Sequence, residues 1–267
     1  MLQPIVQDQA LYFKNTVELK SEMEQLDLPT NASLFMYYAI AMYLNISTVQ
    51  SIQCLSNYLS DPETSSKFGF SPEALEAIKL VMHNTRLRFG DVIVKQVSGI
   101  AMGMSPAPTI ANLLVAIYDK ICVLQYVPQV VLYLSCFIDD GIGIWLHDPD
   151  PIVEKNNWQE FQTCLNNSGL KWVFSESLDE IVFMDMQLNI EGKKIATSLF
   201  AKPMALHLYI PPHSCHAPGV LSGMVFGSIL HIHQLCSRAT NIARELKLLF
   251  HCLLDWGYQL SQLPPLF

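Results

Sequence analysis

The chain has 267 residues, 51% of them hydrophobic and 15% charged, with 16 Lys+Arg against 24 Asp+Glu. That balance excludes a disordered polymer, which needs low hydrophobicity and high charge. The formal net charge of −8 argues against a protein that holds nucleic acid by bulk charge alone, and the length allows one large domain or two small ones.

Residues 9–28 carry apolar positions at helical spacing (Leu11, Phe13, Val17, Leu19, Met23, Leu26), and Pro29 ends the pattern. The apolar, aromatic run SLFMYYAIAMYLNI over 33–46 predicts a buried strand leading into a turn near Asn45. Thr48 is placed to cap a helix to about Leu59, and the stretch 61–70 reads as a loop. Ser71-Pro72-Glu73 opens a second helix, to about His83. Strand-like pieces at 86–89 and 92–96 flank Gly90-Asp91, a hairpin signal. A Gly and Pro cluster, GIAMGMSPAP, then feeds the helical run TIANLLVAIYDKICVL. The segment 130–145 reads as two apolar strands joined by Asp139-Asp140-Gly141. An amphipathic helix over 151–168 ends at Asn167 and Gly169. Three strand-like runs follow, LKWVFSE, IVFMDMQLNI and KIATSLF, the last two joined at Glu191-Gly192, and beyond Pro218-Gly219 the pattern is helical to about Leu254.

Seven cysteines, an odd number and widely spaced, are unlike a secreted disulfide framework and predict a reducing compartment. The N-terminus lacks a basic segment followed by an apolar run, so no signal peptide is expected. Asn112, Asp119, Lys120, Gln125, Pro128 and Gln129 interrupt the longest apolar region, so a membrane span is not expected either. These features predict a cytoplasmic or nuclear protein, not a secreted one.

Asp139 and Asp140 stand side by side between apolar strands, where two like charges repel and are desolvated unless a cation joins them. Magnesium ions roughly 4 Å apart, as in-line phosphoryl transfer uses them, fit such a turn. Asp-Asp-Gly is also ordinary hairpin chemistry, and the residues alone leave both readings open. The glycines at 99 and 103 let backbone approach a base or sugar closely, or they and Pro106 give a rigid helix entry. His213, Cys215, His216, His231, His233 and Cys236 can be drawn as a zinc site of no common spacing. Lys171 is a candidate general acid or a solvated strand residue. The candidate phosphate contacts are Arg86, Arg88, Lys95, Lys193, Lys194 and Lys202.

Taken together, KQVSGIAMGMSPAPTIANLLVAIYDK and CFIDDGIGIW resemble motifs B and C of reverse transcriptases, and within them the Penelope-like retroelement branch. IVFMDMQLNIEGKKIATSLFAKP, followed by LYIPPHSCHAPGV, resembles the strand, primer-grip and early-thumb stretch after motif C. The resemblance covers about 30–240. It implies an α+β right-hand palm, an antiparallel sheet backed by helices at 48–60, 72–83 and 106–125, followed by a partial helical thumb. The implied organisation is a fingers or connection remnant at 1–32, a palm at 33–202 and a partial thumb at 203–267, with the fingers largely missing and no endonuclease module.

The resemblance also implies roles. Asp139 and Asp140 match the motif C catalytic metal ligands for two Mg2+ ions. Gln96, Gly99, Met102, Gly103, Pro106 and Ala107 match the motif B loop, which in the family lies against template and incoming nucleotide. Phe183, Met184 and Asp185 match the primer-grip strand turn. Tyr43 matches the aromatic gate that crowds the ribose 2′-hydroxyl, and that register places Tyr38 where the family has its third metal carboxylate, the motif A Asp. A neutral phenol does not replace a carboxylate that bridges two cations. The expectation is therefore an RNA-directed DNA polymerase homologue, partnered with RNA template and DNA primer, with no small-molecule cofactor and no membrane, whose polymerase activity is impaired or absent. The alternative is a catalytically dead remnant or domesticated protein that acts only in nucleic-acid or protein binding.

Overall fold

The computed structural model describes residues 2–9, 11–126, 129–202, 204, 207–217, 219–261 and 263–267. Pro128 and Pro218, and the side chain of Cys122, lie outside the described residues. The chain forms two compact units, Met1–Lys14 with Asn31–Ser177, and Asn15–Thr30 with Leu178–Phe267. The strands that follow Ser177 pair with one another in a sheet of their own.

The first unit contains α1 (Gln3–Gln7), β1 (Ala32–Ala39), α3 (Met42–Asn45), α4 (Thr48–Leu59), α5 (Pro62–Phe68), α6 (Pro72–His83), β2 (Arg86–Phe89), β3 (Val92–Lys95), α7 (Ala107–Cys122), β4 (Val131–Phe137), β5 (Asp140–Leu146), α8 (Pro151–Asn166) and β6 (Trp172–Phe174). Its main sheet runs β4-β5-β1-β6, antiparallel throughout. The helix-side face of that sheet carries Phe35, Tyr37, Trp145 and Trp172: Phe35 and Trp145 meet Trp158 and Phe161 of α8 in edge-on and tilted ring pairs, and Tyr37 meets Trp172. Two strand glycines make room for this. A Cβ on Gly141 would lie 2.1 Å from the Tyr37 ring, and one on Gly143 would lie 2.3 Å from the Phe35 ring. At the β4 edge the segment of Leu11 to Phe13 runs beside the sheet: the Cys136 N–H donates to the Leu11 carbonyl at 2.7 Å, Ser135 Oγ donates to the same carbonyl at 3.0 Å, and Phe13 packs on Phe137.

Several local expectations are corrected. The stretch 61–70 is not a loop: Asp61 caps α5 by accepting from the Thr64 N–H, and Gly69, at φ +62°, ends it in the left-handed conformation. Ser47, not Thr48, caps α4, and the Thr48 hydroxyl instead donates to the Gly99 carbonyl at 3.1 Å. The helix expected over 9–28 is confined to Thr16–Gln25, and the described residues of 9–15 are not helical: Tyr12 forms a bridge with Cys136. The expected 106–125 helix ends at Cys122 and gives way to a 3-10 turn at Leu124–Tyr126.

The second unit contains α2 (Thr16–Gln25), the meander β7 (Glu180–Phe183), β8 (Met186–Glu191) and β9 (Lys194–Leu199), and the helices α9 (Val220–Leu235) and α10 (Ala239–Asp255). IVFMDMQLNI is thus two strands split at Met184-Asp185, and the final helical region breaks at 236–238. The β8–β9 turn is Gly192-Lys193, since Glu191 pairs with Lys194. Val225, Ile232, Leu249, Leu253 and Leu263 belong to a buried core cluster of this unit. The Thr197 hydroxyl, donating to the Leu235 carbonyl at 2.7 Å, ties β9 to the end of α9.

Candidate functional site

The junction between β4 and β5 is tighter than the sequence suggested. Phe137 pairs with Asp140, so the turn residues are Ile138 and Asp139, while Asp140 and Gly141 already belong to β5. Ile138 sits at φ +59°, a left-handed conformation that costs a β-branched residue free energy. Hydrogen bonds hold it there. The Ile138 N–H donates to Asn112 Oδ1 of α7 at 2.8 Å, the Ala39 N–H donates to the Asp139 carbonyl at 2.8 Å, and the Cys136 thiol donates to the Ile138 carbonyl at 3.4 Å. Residue 112 counted in the sequence only as a polar interruption. Its position on the inward side of a helix after the Gly/Pro loop was the available signal.

Across the sheet, Tyr38 is the direct partner of Asp140, so the two side chains leave the same face as cross-strand neighbours, with Phe137 and Val173 on either side. Tyr38 is half exposed at 50%. Burial, and then the charge of Asp139, pushes the Asp140 carboxyl above its ordinary value. Tyr43 of α3 is pushed up by burial and, second, by Asp139. Behind the hairpin, Asp119 is buried in α7, and burial lifts it to about 7. The Cys136 thiol is raised by burial first and then by the charges of Asp119, Asp140 and Asp139. Uncompensated negative charge is the electrostatic character of this hairpin.

The loop of 96–106 docks on the segment that carries Tyr43. The Ile100 N–H donates to the Tyr43 carbonyl at 2.7 Å and the Gly99 N–H to the Ile46 carbonyl at 3.1 Å. Gly99 has φ +81°, and a Cβ there would stand 2.7 Å from the Tyr43 oxygen, so only glycine closes this contact. Gln96 Nε2 donates to the Ser98 carbonyl at 2.9 Å, leaving its buried Oε1 without a partner among the described residues. Met102 and Gly103 are exposed, and Pro106 is the residue from which α7 starts. Gly99 and Ile100 therefore stand at the Tyr43 backbone, with Gln96 beside Gly99, and Tyr43 in turn lies within the field of Asp139. Phe183, Met184 and Asp185 fall in the second unit, at the β7–β8 turn. Met184 has φ +55°, and Asp185 Oδ2 lies 3.0 Å from His231 Nε2 while its buried Oδ1 has no partner among the described residues.

The donor set does not fit a pair of magnesium ions. Asp139 and Asp140 are two adjacent carboxylates, and the cross-strand partner of Asp140 is the phenol of Tyr38. Among the described residues, no group of three or more His, Cys, Asp and Glu side chains could hold a metal, and the histidines and cysteines of 213–236 form no such group either. No helix among the described residues is long and apolar enough to cross a membrane.

No protein-family model matches this chain, and no curated protein does. Solved structures do. Telomerase from Candida albicans, in complex with a fragment of telomeric RNA, aligns over 95% of this chain and 44% of its own at 12% identity and a TM-score of 0.60. Telomerase from Candida tropicalis, in a similar complex, gives 0.54 at the same identity and coverage. The BmCPV RNA-dependent RNA polymerase at its elongation state gives 0.53 at 14% identity over 88% of this chain and 21% of its own. The chain thus spans less than half the length of these polymerases. The fold is an α+β polymerase palm type, with antiparallel sheets backed by helices.

Proposed function

We propose that the chain is a reverse-transcriptase-like domain of Penelope-like retroelement descent, an RNA-directed DNA polymerase by ancestry that supports little or no nucleotidyl transfer. In this reading 33–202 act as palm and 203–267 as partial thumb. Asp139 and Asp140 are the surviving metal carboxylates, and Tyr43, Gln96, Gly99, Met102, Gly103 and Pro106 line the nucleotide and template. Phe183, Met184 and Asp185 form the primer grip. RNA template and DNA primer are the partners, by analogy with the fold and the motifs. The single observation that supports the loss of activity is the pairing of Tyr38 with Asp140; in this reading position 38 is that of the third carboxylate, and a phenol does not replace it. The same observation favours a second reading, binding without turnover.

Primer extension on an RNA template with a DNA primer and Mg2+ tests the proposal. The unaltered chain is expected to show no Asp139-dependent synthesis, and Tyr38→Asp to gain Mg2+-dependent synthesis that Asp139→Asn abolishes. Robust synthesis by the unaltered chain that Asp139→Asn removes would overturn it.

A further inference from the structure

The β2–β3 hairpin is exposed at every strand residue. Its register sorts the side chains into two faces. Arg86 stands directly opposite Lys95, and Arg88 opposite Ile93, on one face; Leu87, Val94, Phe89 and Val92 make up the other. Like charges set directly across a ladder destabilise it, and the eight ion pairs among the described residues include no partner for Arg86, Arg88 or Lys95. Arg88 is further oriented: its Nε donates to the Gly90 carbonyl at 2.9 Å. In a chain of net charge −8, a ribbon carrying three unpaired cations on one face is complementary to a polyanion. The hairpin is also continuous with the candidate site. The Gln96 N–H donates to the Thr85 carbonyl at 3.0 Å, closing the base of the ribbon where the loop of Gln96 and Gly99 begins.

We infer that the Arg86, Arg88 and Lys95 face binds the phosphodiester backbone of a single-stranded nucleic acid, without regard to sequence. This rests on the polymerase reading and gives it a specific strand contact outside the metal site. The occupant is a nucleic-acid strand and not a lipid surface, because the apolar face that could enter a bilayer points away from the cations. An anion bridging Arg86 and Lys95 turns their mutual repulsion into shared attraction.

The test is fluorescence anisotropy of the full chain with a labelled 20-nucleotide RNA between 50 and 200 mM salt. Three phosphate contacts account for about 2 units of the log–log salt slope, or about 20-fold in affinity over that range. The triple variant Arg86→Gln, Arg88→Gln, Lys95→Gln is expected to lose at least about tenfold in affinity at 50 mM salt and about 2 units of slope. Lys120→Gln, Lys155→Gln, Lys247→Gln, with the same change in net charge, is expected to lose less than threefold. An unchanged slope in the hairpin variant overturns the inference and leaves the polymerase reading standing. Equal losses in both variants also overturn it, as diffuse charge binding. Absence of RNA binding by the unaltered chain overturns the inference and removes nucleic-acid binding from the polymerase reading, which primer extension tests separately. Capture on phosphatidylserine vesicles without RNA binding overturns it in favour of lipid.

Discussion

Asn112 holds Ile138: a side-chain amide oxygen on α7 accepts the backbone N–H of a β-branched residue at φ +59°, at 2.8 Å. The helix that follows the Gly/Pro loop thereby fixes the turn that presents Asp139. Asn112→Ala leaves that partly buried N–H without its partner and is expected to destabilise the chain by about 1–3 kcal/mol. Thermal melting checks this, with a fall of several degrees expected.

Gly141 is a packing residue. Adding a methyl group there drives it into the Tyr37 ring, so Gly141→Ala is expected to cost about 1–3 kcal/mol or more. In the Tyr37→Leu background the same substitution is expected to cost much less. A double-mutant cycle by denaturant unfolding measures the coupling, and additive losses would show that the ring is not the obstacle.

The buried carboxyl of Asp119, lifted to about 7 by burial, gives a pH signature. Its folded value lies above its unfolded one, so the folded state holds the proton more tightly. The associated stability is fully present below about pH 4, is lost as pH rises towards 7, and is flat above that. Asp140, also raised, acts in the same sense, while Glu154, lowered through its bonds from Asp148, Trp145 and His147, acts in the opposite one. Asp119→Asn is expected to flatten the fall in melting temperature between pH 5 and pH 8. An unaltered slope would show that Asp119 does not titrate there.

Placing a carboxylate at Tyr38 adds a third negative charge beside Asp139 and Asp140. Without divalent cations Tyr38→Asp is expected to melt at a lower temperature than the parent at pH 7.5. Millimolar Mn2+ is expected to reverse the loss in the variant and not in the parent, since a ligand that binds the folded state stabilises it. Equal responses would show that position 38 does not join the carboxylates.

Met184 occupies the same first-turn position in the β7–β8 hairpin that Ile138 occupies in β4–β5, again at positive φ. Met184→Gly removes the side-chain clash of that conformation, and a gain of up to about 1 kcal/mol is expected in denaturant unfolding.

Much of the fold was legible wherever local chemistry is decisive. Ser71-Pro72-Glu73 announced α6, and Gly90-Asp91 announced the β2–β3 hairpin, because a cap and a turn act over a few residues. α5 was missed because PETSSKF has no apolar stripe, although Asp61 and Gly69 at its ends were signals. The position of the Asp139 turn was misread by one residue, because Asp-Asp-Gly is good turn chemistry in isolation. The actual register answers to Asn112 and to strand β1, both far away in sequence. The pairing of Tyr38 with Asp140 could be seen only in the sheet.

The β2–β3 ribbon has a consequence for how the chain behaves at high concentration. In its two-stranded sheet each strand has a partner on one side only among the described residues, and RLRF and VIVK are rich in strand-forming side chains. Such open edges recruit further strands from other molecules. Arg86, Arg88 and Lys95 then serve as gatekeepers, since stacking ribbons would bring like charges together. Their protection is electrostatic and shrinks with the screening length, from about 10 Å at 0.1 M salt to about 3 Å at 1 M. Concentrated salt is therefore the condition in which this chain is most prone to self-association through that hairpin.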